Sequence, residues 1–160
     1  MELTLDELRA LTGWAADCAE RVLPLVPDPR PAAAIAAARE FAAGGPRTRA
    51  LRTAAWEALA ASKTSDPAAA AAARAAVGAA GAAYLHPLES PHQVKHIVGP
   101  AQQAALAREL AGDSAEAEIR WALEHAPREV GEILRRFPEG KPGRTRAGDL
   151  HRQLESALRG

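Results

Sequence analysis

The chain has 160 residues with 20 basic and 20 acidic side chains, so its formal net charge at pH 7 is zero. This length is typical of one domain with a hydrophobic core. Because the charges balance, the molecule as a whole has no net positive potential that would attract nucleic acid or an anionic membrane. Neither is therefore predicted as a partner. The acidic start and the lack of an apolar run of about 18 residues argue against a signal peptide or a membrane span. Since Cys18 has no second cysteine to pair with, the sequence predicts a soluble, cytoplasmic protein.

The composition predicts an all-α fold. Alanine supplies about a quarter of the residues and aromatic residues supply 4%, which favours helices that pack closely through small side chains. No segment alternates apolar and polar residues with the valine, isoleucine and aromatic content of a strand. We expect a single-domain bundle of about seven or eight antiparallel helices.

Three helices are predicted in the first 62 residues. Thr4 and Glu7 form a capping-box pattern, and apolar residues at spacings of three and four extend a first helix over about 5–23. The segment PLVPDPRP holds four prolines and predicts a turn. A second helix over 32–43 ends at a Gly-Gly-Pro sequence, and a third covers about 48–62.

The fourth predicted helix is composed almost entirely of small residues. Asp66 followed by Pro67 is a strong start signal, and the helix continues to about residue 85. Alanines, together with Gly78 or Gly81, allow neighbouring backbones to approach closely. This helix is therefore expected in the middle of the bundle.

A fifth helix begins after Ser90 with Pro91, and it meets Gly99 and Pro100 in its interior. A proline there removes one backbone hydrogen bond and clashes with the carbonyl four residues earlier. The sequence therefore predicts that the chain kinks or restarts at this point, before an amphipathic stretch over 101–110.

The rest of the chain predicts three shorter helices. Asp113 with Glu116 is expected to cap a sixth helix that ends at His125, and a seventh covers about 127–137. We place a domain boundary after residue 137, so residues 1–137 form the bundle. Residues 138–160 form a basic, glycine- and proline-containing connection and a short helix over 150–158, packed on the same domain. The basic residues of this region are interpreted as a solvated tail: Arg135, Arg136, Lys141, Arg144, Arg146 and Arg152.

Three of the five histidines, His86, His92 and His96, lie within eleven residues. His92 and His96 are four apart on a helix and are weak candidates for a metal pair, but Gln93 stands where the metalloprotease pattern requires glutamate. His86 or His96 could act as a general base, but the sequence contains no nucleophile or phosphate-binding loop at a recognisable spacing from either. The favoured interpretation is structural: His86 bonds free carbonyls at the end of the fourth helix, and His96 bonds backbone freed by Pro100. No catalytic residue, metal or other cofactor is predicted.

Each of the three tryptophans lies on a predicted helix: Trp14, Trp56 and Trp121. In an alanine-rich bundle a large ring most often fills the space between helices, so all three are expected in the core. A tryptophan that proved to be exposed would be the natural anchor for a protein partner, because tryptophan is enriched among binding hot spots.

Four segments carry a family resemblance: ADCAERVLPL at 16–25, RPAAAIAAAREFAAGG at 30–45, AYLHPL at 83–88 and QVKHIVGPA at 93–101. Together they resemble a bacterial family of putative immunity proteins with an Imm-5-like domain, over about residues 10–135. The most specific parts are His-Pro-Leu at 86–88 and Gln-Val-Lys-His at 93–96. The resemblance implies a small helical protein that protects its producer by binding and occluding a cognate toxin, without catalysis.

The candidate contact surface is the corner between the fourth and fifth helices. Its predicted residues are His86, Pro87, Leu88, Gln93, Lys95 and His96. The alternative is a helical protein, possibly an enzyme, that binds a small ligand or a metal in a pocket at His86, Lys95 and His96.

Overall fold

Eight α-helices form the fold in this computed structural model, which describes all 160 residues and contains no strand. They are α1 (Leu5–Val22), α2 (Arg30–Ala42), α3 (Arg49–Ala61), α4 (Pro67–Gly81), α5 (Pro91–Leu110), α6 (Ala115–His125), α7 (Arg128–Leu134) and α8 (Arg146–Arg159), with 3-10 turns at Leu23–Leu25 and Ala82–Tyr84. The all-α prediction is confirmed. None of the helices is both long enough and apolar enough to span a lipid bilayer.

Helix α4 lies at the centre of the bundle, as its composition predicts. Ten of its 15 residues are buried alanines, and it packs against α1, α2, α3 and α5. At Gly78 helix α5 approaches closely: a Cβ atom at this position would lie 3.0 Å from Cγ of Pro100. Gly81 has no such role, because a Cβ atom there would meet nothing within 4 Å.

Helix α5 is continuous through Pro100, so of the two predicted outcomes, a kink or a restart, the restart does not occur. The Pro100 ring is buried against Gly78 of α4, where a side chain would crowd it. Packing against a neighbouring helix thus holds together a helix that the local sequence disfavours.

The start of α6 also differs from the prediction. Ser114, not Asp113, is the N-cap: its backbone is extended, and its hydroxyl accepts a hydrogen bond from the N–H of Ala117 at 3.1 Å. Asp113 lies one residue too early, and its carboxylate is 3.9 Å from the guanidinium of Arg108 instead.

The C-terminal helix is longer than predicted and is firmly attached. Thr145 caps α8, so the helix begins at Arg146 and not at Leu150, whose side chain is fully buried in the core. The interpretation of the basic region as a solvated tail is wrong for Arg136, which pairs with Glu7, and for Arg146, which binds carboxylates at up to 2.8 Å. Three of these partners are distant in sequence, Glu7, Glu109 and Glu116, and the fourth, Asp149, is three residues from Arg146. Lys141 and Arg144 are exposed and form no ion pair.

Candidate functional site

The predicted contact residues lie at the corner between the 3-10 turn at Ala82–Tyr84 and α5. His86, Pro87 and Leu88 occupy an exposed loop, and the side chain of Leu88 is 58% exposed. Lys95 and His96 are exposed on the first turns of α5. Gln93 differs from the others because it is buried, 8% exposed, with its Oε1 atom unpaired.

The structural interpretation of His86 and His96 is wrong, because neither ring forms a hydrogen bond and both are exposed. The end of α4 is satisfied by backbone, since the N–H of Ala82 donates to the carbonyl of Gly78. Loss of hydration beside the protein surface lowers the pKa of His96, and the positive charge of Lys95 lowers it further.

The His92 and His96 rings meet edge to face, with their centroids 5.9 Å apart. No group of three or more histidine, cysteine, aspartate or glutamate side chains lies close enough together to hold a metal ion. The lone thiol of Cys18 is in the core, where burial raises its pKa.

The tryptophans divide into three environments. Trp14 is buried, and its Nε1 donates to the carbonyl of Ala122 at 2.9 Å. Trp121 is half-buried between the guanidinium of Arg21, 4.1 Å from its ring centroid, and the stacked ring of His125 at 4.0 Å. Trp56 is 70% exposed, so its expected place in the core is wrong.

The exposure of Trp56 follows from the face that α3 buries. The buried residues of this helix repeat at spacings of three and four: Leu51, Ala54, Ala58 and Ala61. Trp56 falls between Ala54 and Ala58 on a different side of the helix, so its ring points away from the core and towards solvent.

Trp56 lines a largely apolar groove of about 410 Å³ between α3, α4 and the 3-10 turn at Ala82–Tyr84. Leu59, Val77 and Tyr84 line it too, and so does His86 from the predicted contact corner. The hydroxyl of Tyr84 donates to the carbonyl of Thr48 at 3.0 Å, which positions the ring.

Three exposed arginines, Arg47, Arg49 and Arg52, form a basic rim beside Tyr84. The guanidinium of Arg52 is 4.6 Å from the Tyr84 ring centroid, and that of Arg47 is 6.0 Å from it. None of the three pairs with a carboxylate: the ion pairs of the molecule are all formed by other residues. A signal for this rim was present in the sequence, since RTRALR contains three arginines and no acid.

Lys95 belongs to a second cavity, also of about 410 Å³, which lies between α5, α8 and the loop before α8. His92, Lys141 and His151 line it with Lys95. His86, Lys95 and His96 therefore do not share one cavity: His86 lines the Trp56 groove, Lys95 lines the second cavity, and His96 lines neither.

The side chain of His151 contacts the carboxylate of Glu155. Glu155 accepts a hydrogen bond from His151 Nε2 at 2.8 Å, and others from the N–H of Gly140 and from Arg159. Burial alone would raise the pKa of Glu155, but these three donors outweigh it and lower the pKa.

One comparison with known proteins identifies a family. A family model described as Imm-5 like putative immunity protein matches residues 1–129 of this chain. The matched part includes α1 to α6, and so all the residues that line the Trp56 groove, whereas α8 lies beyond it. No curated protein and no solved structure matches the chain.

Proposed function

Since the chain belongs to the Imm-5 like putative immunity protein family, we propose that it binds a cognate bacterial toxin and blocks it by occlusion, without catalysis. The observation that carries this proposal is the exposed Trp56 in its apolar groove. A tryptophan that is 70% exposed gives little to the fold, yet it is the side chain most enriched in binding hot spots.

The contact surface that we propose joins this groove to the corner predicted from the sequence. It consists of Trp56, Leu59, Tyr84, His86, Pro87 and Leu88, and is called the Trp56 surface below. Trp56, Leu59 and Leu88 are among the few large apolar side chains exposed on the molecule. A contiguous apolar patch with a polar rim is typical of a protein interaction site.

The rim indicates the chemistry of the partner. Arg47, Arg49 and Arg52 have no carboxylate partner within the chain, although the whole molecule is electrically neutral. Opposite potentials at an interface accelerate association and exclude partners of the same charge. We therefore expect a toxin surface that places an apolar side chain in the groove and carboxylates opposite the arginines.

The proposal can be tested by co-expressing the protein with toxins from the strain that encodes it, and by measuring growth and affinity. For the toxin that it neutralises, Trp56→Ala should weaken binding by about 30-fold or more and abolish protection, because hot-spot truncations cost about 2 kcal/mol or more. Leu110→Ala is the matched control, since Leu110 is 48% exposed but lies on α5 outside the Trp56 surface.

Two results would contradict the proposal in different ways. If the protein neutralises a toxin and Trp56→Ala binds it as tightly as the wild type does, the contact surface is misplaced. If the wild-type protein protects against none of the strain's toxins, the function itself is wrong.

Charge reversal with Arg52→Glu should slow association with the toxin without unfolding the protein, because the Arg52 side chain is exposed.

A further inference from the structure

The second cavity has features of a ligand site that toxin binding does not require. It is separate from the Trp56 surface, and its polar lining comes from three segments: His92, Lys95 and Gln102 on α5, Lys141 on the loop before α8, and His151 on α8. We propose that this cavity binds the phosphate group of a small polar molecule.

The charged side chains that line the cavity, Lys95 and Lys141, are both positive. Lys95 and Lys141 are two of the three lysines in the chain, and neither forms an ion pair. No carboxylate is among the residues that line the cavity, although the chain contains 20 acidic residues. The start of α5 is also here, at Pro91, and the partial positive charge of a helix N-terminus favours an anion. Two lysines with free ammonium groups are suited to a doubly charged oxyanion.

His151 adds a buried polar group to this set. Its ring is 3% exposed, and its Nε2 atom is held by the Glu155 carboxylate at 2.8 Å. The other ring nitrogen, Nδ1, forms no hydrogen bond within the protein and is the one available to a ligand. Because Nε2 donates to the Glu155 carboxylate, Nδ1 of the neutral ring is a hydrogen-bond acceptor, which suits a hydroxyl group of the ligand beside its phosphate.

The loop that carries Lys141 is fixed before any ligand arrives. The N–H of Gly140 donates to both oxygens of Glu155, at 3.2 and 3.0 Å, and a Cβ atom at Gly140 would lie 2.8 Å from His151 Nε2. Gln102 donates to the carbonyl of Ala147 at 2.7 Å and so ties α5 to the start of α8. A site that is ordered in advance loses less entropy when it binds.

The size and lining of the cavity indicate more than inorganic phosphate. A volume of about 410 Å³ exceeds what one phosphate group fills, and apart from two prolines the lining is polar. A phosphomonoester of a small polar molecule satisfies both conditions. Lys141 and His151 lie beyond residues 1–129, so two of the five polar lining residues come from the part of this chain that the family model does not match.

The test is an NMR titration of the ¹⁵N-labelled full-length protein with inorganic phosphate and, separately, with glycerol 3-phosphate, at constant ionic strength. We expect saturable shifts centred on residues 91–95, 140–142 and 151. Lys95→Gln and Lys141→Gln should each weaken binding about tenfold, because a hydrogen bond between charged groups is lost. Lys63→Gln is the matched control, since it removes the third lysine and leaves the cavity intact.

Saturable binding of either compound at the cavity supports the proposal, and tighter binding of glycerol 3-phosphate identifies a phosphomonoester as the ligand class. The proposal is overturned if neither compound gives saturable shifts at millimolar concentrations, or if the shifts centre on Arg47, Arg49 and Arg52. It is also overturned if a variant that combines Lys95→Gln with Lys141→Gln binds as the wild type does. None of these results depends on toxin protection.

Discussion

Removal of the Glu118 carboxylate should destabilise the junction of α1, α5 and α6. The side chain of Glu118 is 4% exposed, and it accepts hydrogen bonds from Arg21 Nε at 2.6 Å and from Arg108 Nε at 3.1 Å. Arg108 also donates to the carbonyl of Arg21 at 2.7 Å, near the end of α1. One buried charge thus joins three helices.

The expected cost of Glu118→Ala is about 2 kcal/mol in the free energy of unfolding. Removing one partner of a fully buried ion pair costs about 3–5 kcal/mol, because a charge is left without compensation. Here the two arginine side chains that remain are 35% and 29% exposed, so water can hydrate them in part and the cost is smaller. Hydrogen bonds to charged groups contribute about 1.5–3 kcal/mol each, which agrees in magnitude with the expected cost of Glu118→Ala.

Equilibrium unfolding in urea at pH 7 measures this cost. Glu116→Ala is the matched control on the same helix, because Glu116 is 52% exposed and its surface pairing with Arg146 should matter little. A Glu118→Ala midpoint no lower than that of Glu116→Ala would refute the reasoning. With Arg108→Met added, the double variant should lose less stability than the two single losses summed, because the pair contributes a shared interaction.

Two further variants test the segment around α8. Despite burial, hydrogen bonds hold the pKa of Glu155 below its usual 4.5. The ionised carboxylate therefore stabilises the fold fully above about pH 4.5. This stabilisation is lost as the pH falls through the lower pKa of the folded state. Thermal unfolding of Glu155→Gln should therefore depend less on pH than that of the wild type between about pH 5 and pH 3, and equal slopes would contradict this. A Cβ atom at Gly148 would lie 2.6 Å from the carbonyl oxygens of Pro142 and Gly143, so Gly148→Ala should cost about 1–3 kcal/mol in urea unfolding. Gly81→Ala at the end of α4, where a Cβ atom would meet nothing within 4 Å, should instead stabilise by up to about 1 kcal/mol; a loss equal to that of Gly148→Ala would show that space is not the cause.

Features that depend on nearby residues were predictable from the sequence. Thr4 with Glu7 forms the expected capping box, and Asp66 and Ser90 cap the helices that they were predicted to start. In each case the side chain and the N–H that it satisfies are two or three residues apart. Such contacts form within a single turn and need no knowledge of the fold.

Features that depend on a distant partner were not predictable in the same way. Pro100 lies inside a helix and packs its ring against Gly78, 22 positions away, where a side chain would crowd it. Arg136 is bound because Glu7 lies beside it in the folded chain, although 129 positions separate them. Sequence reasoning could identify each of these residues as unusual, but it could not identify the partner that decides its role.

The candidate sites also differ in whether nearby residues or distant partners determine them. His86 and Leu88 were placed at a corner between helices, since proline and cap signals are local. The exposure of Trp56 depends on which side of α3 meets the bundle, and a tryptophan fits either a core or an interface. The meeting of Lys95 with His151 depends on how α8 folds back over α5, which no short-range pattern encodes.

The alanine-rich interior of α4 restricts how this protein can change over time. Glycine is the one residue smaller than alanine, so nearly every substitution on the buried faces of α4 adds atoms where there is no space. The spacing of the four surrounding helices is therefore hard to alter by single mutations. Trp56 and Leu59 lie on an exposed side of α3, where side chains can be exchanged without moving that frame. A rigid interior beneath a freely variable surface would let such a protein acquire new binding specificities while it keeps one backbone.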